Sequence, residues 1–141
     1  MTKERSLRVL LIEDEPADCT AISNSIDKKE GICLIGATGS IEKALQEVKD
    51  SQPDVIILDI ELHKGEGDGI TFMERLESSN LIKPFVLVTS VNSSKIIYDR
   101  VRGLGVDFII SKAQDNYNAD YVIDFIMSLK NAILLDYEKT S

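Results

Sequence analysis

Residues 54–59, Asp-Val-Ile-Ile-Leu-Asp, form the most hydrophobic short run of the chain and end in a carboxylate. A continuous run of Ile, Val and Leu is typical of a strand that is buried on both faces. Similar runs occur at residues 7–12, 32–37, 85–88 and 108–110. Residues 54–59 therefore predict a central strand of a parallel sheet, with Asp59 at its carboxyl end.

Segments with apolar residues at helical spacing follow each of these runs. The second segment begins after Ser40, a favoured N-cap, and the third follows Asp68. The fifth carries an apolar stripe made of Val122, Phe125, Ile126, Leu129 and Ile133. Strict alternation of strands and helices builds a parallel sheet covered on both faces. We predict an α/β fold with five helices and a doubly wound five-stranded parallel sheet in the order 2-1-3-4-5.

The composition suits one soluble domain. The 141 residues show no composition break, so we expect a single domain over 1–141, with its core at about 7–135 and a C-terminal helix extension over 130–141. The net charge of −8 argues against non-specific binding to nucleic acid or anionic membranes. No signal peptide, membrane-length apolar run or disulfide framework is present, which predicts a cytoplasmic protein.

Polar side chains collect where the predicted strands end. Glu13 and Asp14 follow the first strand, Asp59 ends the third, Thr89 ends the fourth and Lys112 follows the fifth. In the order 2-1-3-4-5 the ligand crevice lies at the carboxyl edge, between strands 1 and 3. We therefore expect these side chains to share one site.

A cluster of carboxylates implies a cation. Two carboxylates about 4–5 Å apart repel by roughly 3–4 kcal/mol at an effective dielectric near 20. Either one carboxylate takes a proton or a cation binds between them. Oxygen ligands with access to water favour Mg²⁺, which is usually shared with a phosphate. Lys112 and Thr89 could then contact phosphoryl oxygens, and Asp59 is the best candidate for a nucleophile.

Four segments together resemble the receiver domain of two-component response regulators. They are LLIEDE at 10–15, VIILDIEL at 55–62, FVLVTS at 85–90 and GVDFIISK at 105–112, and the similarity extends over about 7–135. The resemblance implies a flavodoxin-like, CheY-like (βα)5 fold. It also implies that Asp59 is the phosphoacceptor, that Thr89 is the switch hydroxyl and that Lys112 binds the phosphate.

The resemblance further implies a Mg²⁺ site. Its ligands would be Glu13, Asp14, Asp59 and the backbone carbonyl of Glu61, with Asp14 as the more direct acidic ligand. Whether the Glu61 carboxylate points to solvent or stands beside the phosphoryl group stays open.

Four positions depart from the receiver pattern. Gly69 lies ten residues after Asp59 instead of about eight, and His63 stands where proline is common. Ala113 replaces the usual proline after Lys112, and we expect a trans bond there because a cis non-proline bond costs about 3 kcal/mol. Ile109 occupies the switch position on strand 5 that usually carries an aromatic residue, while Phe108 falls on the opposite face.

The function implied is that of a signalling domain rather than a separate enzyme. It would accept a phosphoryl group from a sensor histidine kinase or a histidine phosphotransfer protein and change conformation. Self-association would give a homodimer through the face made by helix 4, strand 5 and helix 5. No direct contact with nucleic acid or membrane is expected.

Two alternatives remain at this point. One is a pseudo-receiver, an interaction module whose acids no longer support chemistry. The other is a haloacid-dehalogenase-like phosphohydrolase, although that family places its Asp-x-Asp motif on the first strand and Asp59-Ile60-Glu61 lies on the third.

Overall fold

The computed structural model describes residues 5–62, 68–91 and 94–140, with the backbone alone for 136–140; His63 lies outside these residues. Within these ranges the chain alternates strands and helices. In chain order the elements are β1 (Leu7–Ile12), α1 (Pro16–Asp27), β2 (Ile32–Thr38), α2 (Ile41–Ser51), β3 (Val55–Asp59), α3 (Gly69–Ser78), β4 (Phe85–Ser90), α4 (Lys95–Arg102), β5 (Phe108–Ser111), α5 (Ala119–Ser128) and α6 (Lys130–Thr140).

The five strands form one parallel sheet in the order β2-β1-β3-β4-β5, which confirms the predicted fold. Every residue of β3 is buried, as its continuous apolar sequence predicts. In the register, Val55 pairs with Val9 on one side and Asp59 pairs with Thr89 on the other. Asp59 therefore lies at the carboxyl edge, in the middle of the sheet.

Two apolar cores cover the two faces of the sheet. Side chains of α2, α3 and α4 pack against one face, and those of α1, α5 and α6 pack against the other. The strand side chains alternate between the cores: Ile56 and Leu58 lie in the first, and Val55 and Ile57 in the second. This double coverage leaves the carboxyl edge of the sheet for the polar residues.

Side-chain caps begin several helices. Ser40 Oγ accepts a hydrogen bond from the Lys43 amide at 3.3 Å, and Asp68 Oδ1 accepts one from the Thr71 amide at 3.1 Å. Both residues were expected at helix starts. No described peptide bond is cis, so the expected trans bond between Lys112 and Ala113 is confirmed.

The prediction of a single fifth helix is wrong, because the structure divides it at Leu129. The amide of Leu129 donates to the Ile126 carbonyl at 3.0 Å and closes α5, and the Leu129 carbonyl accepts from the Ile133 amide at 3.0 Å as α6 begins. Ile133 and Leu134 return to the core packed by α5. The apolar stripe hides the break, because both helices bury the same face.

None of the helices in the described ranges combines the length and the apolar character that a bilayer span requires. Cys19 and Cys33 are both free cysteines.

Asp54 fastens the amino end of the sheet, opposite the polar edge. Its two carboxylate oxygens accept hydrogen bonds from the two terminal nitrogens of Arg5, each at 2.9 Å, and Oδ2 also accepts from the Arg8 amide at 2.9 Å. Asp54 is buried while the Arg5 side chain is 39% exposed. The pair joins the N-terminal segment to the start of β3.

We predict that Asp54→Ala destabilises the fold by about 2–3 kcal/mol, because it leaves the Arg8 amide without its acceptor and removes a bidentate ion pair. Urea unfolding should show a lower midpoint with an unchanged slope. Asp50→Ala is the matched control: Asp50 is an exposed carboxylate of α2, and its removal should change stability by no more than about 0.5 kcal/mol. Equal effects of the two changes would contradict the role given to Asp54.

Candidate functional site

The carboxyl ends of four strands bring the predicted residues to one place. Asp59 and Thr89 are register partners at the ends of β3 and β4, and the Ile60 amide donates to the Thr89 carbonyl at 3.0 Å. Lys112 directly follows β5, and its amide donates to the Ser90 carbonyl at 2.8 Å. Glu13 directly follows β1. The backbone hydrogen bonds of the sheet therefore fix where each side chain begins.

The ammonium group of Lys112 lies among three carboxylates. Its Nζ is 3.2 Å from Glu13 Oε1, 3.3 Å from Asp59 Oδ2 and 3.3 Å from Asp18 Oδ2. Glu13 and Asp59 are each 5% exposed, whereas the Asp18 side chain is 47% exposed. Glu13, Asp59 and Lys112 thus meet in the structure, and Asp18 joins them.

Asp18 was missed from the sequence. It lies one helical turn after Asp14 and Glu15, on the α1 side of the site, and it resembled an ordinary acidic residue in the first turn of a helix. The available signal was the position of Asp18 in the first turn of α1, directly after the acidic run Glu13-Asp14-Glu15.

Asp14 is placed differently from Glu13. Its amide donates to Glu13 Oε2 at 3.1 Å, and its side chain lies against the turn after β2, where a Cβ on Gly39 would collide with it. No group of three or more Asp, Glu, His or Cys side chains in the described ranges has the arrangement of a metal site.

The donor set nevertheless fits a hard cation. An open cleft of about 160 Å³ adjoins Asp59. Among the described residues, its lining has the carboxylates of Glu15, Asp18, Asp59 and Glu61, the ammonium of Lys112, and Val91. Glu13 contributes a further carboxylate next to this lining, because its Oε1 is 3.2 Å from Lys112 Nζ. Oxygen donors in such excess over positive charge favour Mg²⁺ over softer metals.

The Glu61 carboxylate lines the cleft beside Asp59, and its oxygens are hydrogen-bonded within the protein. It turns toward the end of β4, where Oε2 accepts from the Ser90 hydroxyl at 2.8 Å and Oε1 accepts from the Val91 amide at 2.6 Å. The Glu61 amide donates to Asp59 Oδ1 at 3.0 Å. Ser90, which the sequence analysis did not single out, is therefore part of the site.

On β5, Ile109 is half-buried against the core beneath α2, α3 and α4. Phe108 is 44% exposed, and its ring centroid is 4.4 Å from that of Phe125 on α5. The two side chains therefore lie on opposite faces of the sheet, and the position of Ile109 carries no aromatic ring.

A second cavity of about 240 Å³ lies on the α1 and α5 side of the site. Asp59, Thr89 and Tyr117 line it together with apolar residues such as Ile22 and Ile57. Burial raises the pKa of Tyr117. Tyr117 lies in the loop before α5 and was not singled out from the sequence.

Burial and mutual repulsion shape the charges of the site. Burial, a hydrogen bond with Asp59 and the charge of Asp59 raise the pKa of Glu13 from 4.5 to about 7, against the lowering effect of Lys112. Burial alone would lower the pKa of Lys112, but the charges of Asp59, Glu13 and Asp18 raise it above its usual range. Without a bound cation, Glu13 is therefore partly protonated near neutral pH while Lys112 stays charged.

Comparison with known proteins identifies the family to which the chain belongs. Residues 9–120 match the family model described as "Response regulator receiver domain". The "Probable C4-dicarboxylate response regulator DctR" of Halalkalibacterium halodurans is 31% identical over 110 residues, which cover 78% of this chain and 47% of that protein. "Protein-glutamate methylesterase/protein-glutamine glutaminase 5" of Anaeromyxobacter dehalogenans is 33% identical over 90 residues, which cover 64% of this chain and 24% of that protein. The chain spans about half or less of the length of these relatives.

Solved structures agree in fold. The response regulator domain of Thermotoga maritima CheB superposes with a TM-score of 0.70 at 19% identity, covering 90% of this chain and 98% of that one. A DNA-binding response regulator of the LuxR family from Staphylococcus aureus gives a TM-score of 0.74 at 16% identity, covering 87% of this chain and 98% of that one.

The raised pKa of Glu13 predicts a pH dependence of stability in metal-free buffer. The folded chain holds this proton more tightly than the unfolded chain, so the stabilising contribution is complete below pH 4.5 and is lost as the pH rises through 7. Relative to Glu13→Gln, the wild-type free energy of unfolding should fall by up to about 3 kcal/mol across that window. Urea unfolding at several pH values measures it. Glu15→Gln, which removes an exposed neighbouring carboxylate, is the control and should run parallel to wild type; parallel curves for Glu13→Gln as well would refute the assignment.

Proposed function

Because the chain belongs to the response regulator receiver domain family, we propose that Asp59 accepts a phosphoryl group from the phosphohistidine of a partner protein in a reaction that requires Mg²⁺. The observation that carries the proposal is the surroundings of the Asp59 carboxylate. Its Oδ2 contacts Lys112, its Oδ1 accepts the Glu61 amide, and it borders the open cleft. A buried carboxylate held at both oxygens and open to a cleft is suited to act as a nucleophile.

The reaction joins one Asp59 oxygen to phosphorus while the bond from phosphorus to the donor imidazole breaks. Lys112 can transfer its contact from Asp59 Oδ2 to a phosphoryl oxygen without moving far, because Glu13 and Asp18 continue to hold its ammonium. The hydroxyl of Thr89, the register partner of Asp59, is a neutral donor at the same edge of the sheet. Catalysis then consists of positioning and charge neutralisation.

Charge balance explains why the reaction needs a metal. A phosphoryl charge about 5 Å from one carboxylate costs roughly 3 kcal/mol at an effective dielectric near 20. Among the residues that the structure describes, the lining of the cleft has four carboxylates and one ammonium, that of Lys112. Glu13, Asp14, Asp59 and the backbone carbonyl of Glu61 are the groups that would hold Mg²⁺, which supplies the missing positive charge when bound.

The partners follow from the same chemistry. The phosphodonor is a sensor histidine kinase or a histidine phosphotransfer protein, and the phosphorylated domain signals by a change in conformation rather than by turning over a separate substrate. We place Thr89 and Ile109 at the switch, with the face of α4, β5 and α5 as the surface for output or for a homodimer. The free cysteines fit a cytoplasmic location, and the charge of −8 fits a domain that contacts neither nucleic acid nor membrane directly.

The contacts of Glu61 argue against the phosphohydrolase alternative. Such an enzyme needs an acid or base two residues after the nucleophile, free to reach the leaving group. The Glu61 carboxylate is instead taken up by Ser90 and Val91.

Substitution of the acceptor tests the proposal. Asp59→Asn removes the nucleophile, so labelling by phosphoramidate with Mg²⁺ should fall by at least 100-fold, as measured by the mass of the intact protein. Asp50→Asn, an exposed carboxylate on α2, should be labelled like wild type. Normal labelling of Asp59→Asn would show that Asp59 is not the acceptor.

Metal removal gives a second test, which also separates the alternatives. Beryllofluoride, a mimic of the phosphoryl group, should bind wild-type protein with Mg²⁺ and should fail to bind in EDTA, because the carboxylates of the cleft then repel it. Isothermal titration measures the binding, and sedimentation of the same samples detects a dimer. A pseudo-receiver would bind no beryllofluoride in either Mg²⁺ or EDTA. A phosphohydrolase would hydrolyse p-nitrophenyl phosphate over many turnovers.

A further inference from the structure

The Glu61 carboxylate connects the segment that follows β3 to the end of β4. It accepts from the Ser90 hydroxyl at 2.8 Å and from the Val91 amide at 2.6 Å. Ser90 is 1% exposed and directly follows Thr89. We call this set of contacts, the Glu61 carboxylate with the Ser90 hydroxyl and the Val91 amide, the latch.

The latch is directly connected to the phosphoacceptor. The Glu61 amide donates to Asp59 Oδ1 at 3.0 Å, so the backbone of Glu61 and its side chain contact the two strand ends on either side of the cleft. Glu61 and Val91 both line the cleft that would receive the phosphoryl group. Asp59 is therefore one hydrogen bond away from Glu61, the residue that forms the latch.

A phosphoryl group and the Glu61 carboxylate are anions that compete within this cleft. Both anions attract N–H donors, and Glu61 holds the Val91 amide, a donor that lines the cleft. A phosphoryl group on Asp59 also repels the nearby carboxylate. Both effects favour departure of Glu61 from Ser90 and Val91 once Asp59 is modified.

Resting on the proposed function, we propose that Glu61 is a positioning residue that holds Ser90 and Val91 in the unphosphorylated arrangement and releases them when Asp59 carries a phosphoryl group. The released Val91 amide, which lines the cleft, then donates to a phosphoryl oxygen, while the Ser90 hydroxyl serves only to hold Glu61 in the resting arrangement. This gives the end of β4 a direct connection to Asp59 that does not depend on an aromatic ring at Ile109. The free energy needed to open the latch is taken from the affinity for the phosphoryl group.

The first test concerns the resting protein without metal or phosphodonor. The Val91 amide should be protected from hydrogen exchange in the wild type, and Glu61→Ala should speed its exchange at least 10-fold, as followed by NMR. Glu61→Gln, which keeps a side-chain oxygen, should restore part of the protection. Glu15→Gln removes a carboxylate from the same cleft without touching the latch and should leave the Val91 rate unchanged.

The second test measures release through beryllofluoride binding with Mg²⁺ present. Glu61→Gln should bind at least 10-fold more tightly than wild type, and Ser90→Ala, which weakens the latch without changing any charge, at least 3-fold more tightly. Glu15→Gln, which changes charge alone, should gain less than 3-fold. The Ser90→Ala result separates a latch from a simple loss of negative charge.

The outcomes distinguish the latch from the function on which it rests. Wild-type protein that binds no beryllofluoride would overturn the proposed function and the release step with it. Val91 exchange that is the same in Glu61→Ala and in wild type would overturn the latch alone. Equal gains in beryllofluoride affinity for Glu61→Gln and Glu15→Gln, with no gain for Ser90→Ala, would show that Glu61 acts only through its negative charge. That result would also reject the latch.

Discussion

The repulsion among carboxylates at one edge of the sheet, offset by the ammonium of Lys112, is the interaction on which the site depends. Parallel strands bring their carboxyl ends to the same edge, so Glu13 and Asp59 meet wherever the sheet forms. One lysine cannot neutralise the carboxylates around it, and the raised pKa of Glu13 follows from burial within this excess. The edge therefore carries an excess of negative charge, and the proposed binding of a metal and a phosphoryl group depends on this excess.

Asp54, at the amino end of β3, is a carboxylate with a structural role and can be compared with Asp59 at the carboxyl end of the same strand. Asp54 accepts two hydrogen bonds from Arg5 and one from the Arg8 amide, so its charge is matched and its lone pairs are used. Asp59, five residues later, shares Lys112 with two other acids and faces an open cleft. Both aspartates are buried, so burial does not distinguish them. They differ in how completely hydrogen-bond donors and positive charge balance the carboxylate. Incomplete compensation at a buried carboxylate is therefore a better indicator of function here than burial alone.

Strand order and the position of Asp59 could be predicted from the sequence, because continuous Ile and Val runs report burial on both faces and βα alternation restricts the topology. The break at Leu129 could not, since α5 and α6 bury the same apolar face and the spacing of Ile126, Leu129 and Ile133 stays helical. Asp18 was hidden for a related reason: an acidic residue in the first turn of a helix is common and has a local explanation. The orientation of Glu61 depends on Ser90 and Val91, about thirty residues away, and no local pattern encodes it.

The orientation of Glu61 also follows from the charge excess. A carboxylate two residues after Asp59 has little to gain by facing Asp59 and Asp18, whose charges repel it, and the Lys112 ammonium is already surrounded. The hydroxyl of Ser90 and the amide of Val91 are two donors at the end of β4, and the Glu61 carboxylate accepts from both. The repulsion that prepares Asp59 for a cation therefore also pushes its neighbour onto the end of β4. Chemistry at the acceptor and the arrangement of the following loop are coupled by one electrostatic cause, so a change of charge at Asp59 must alter both.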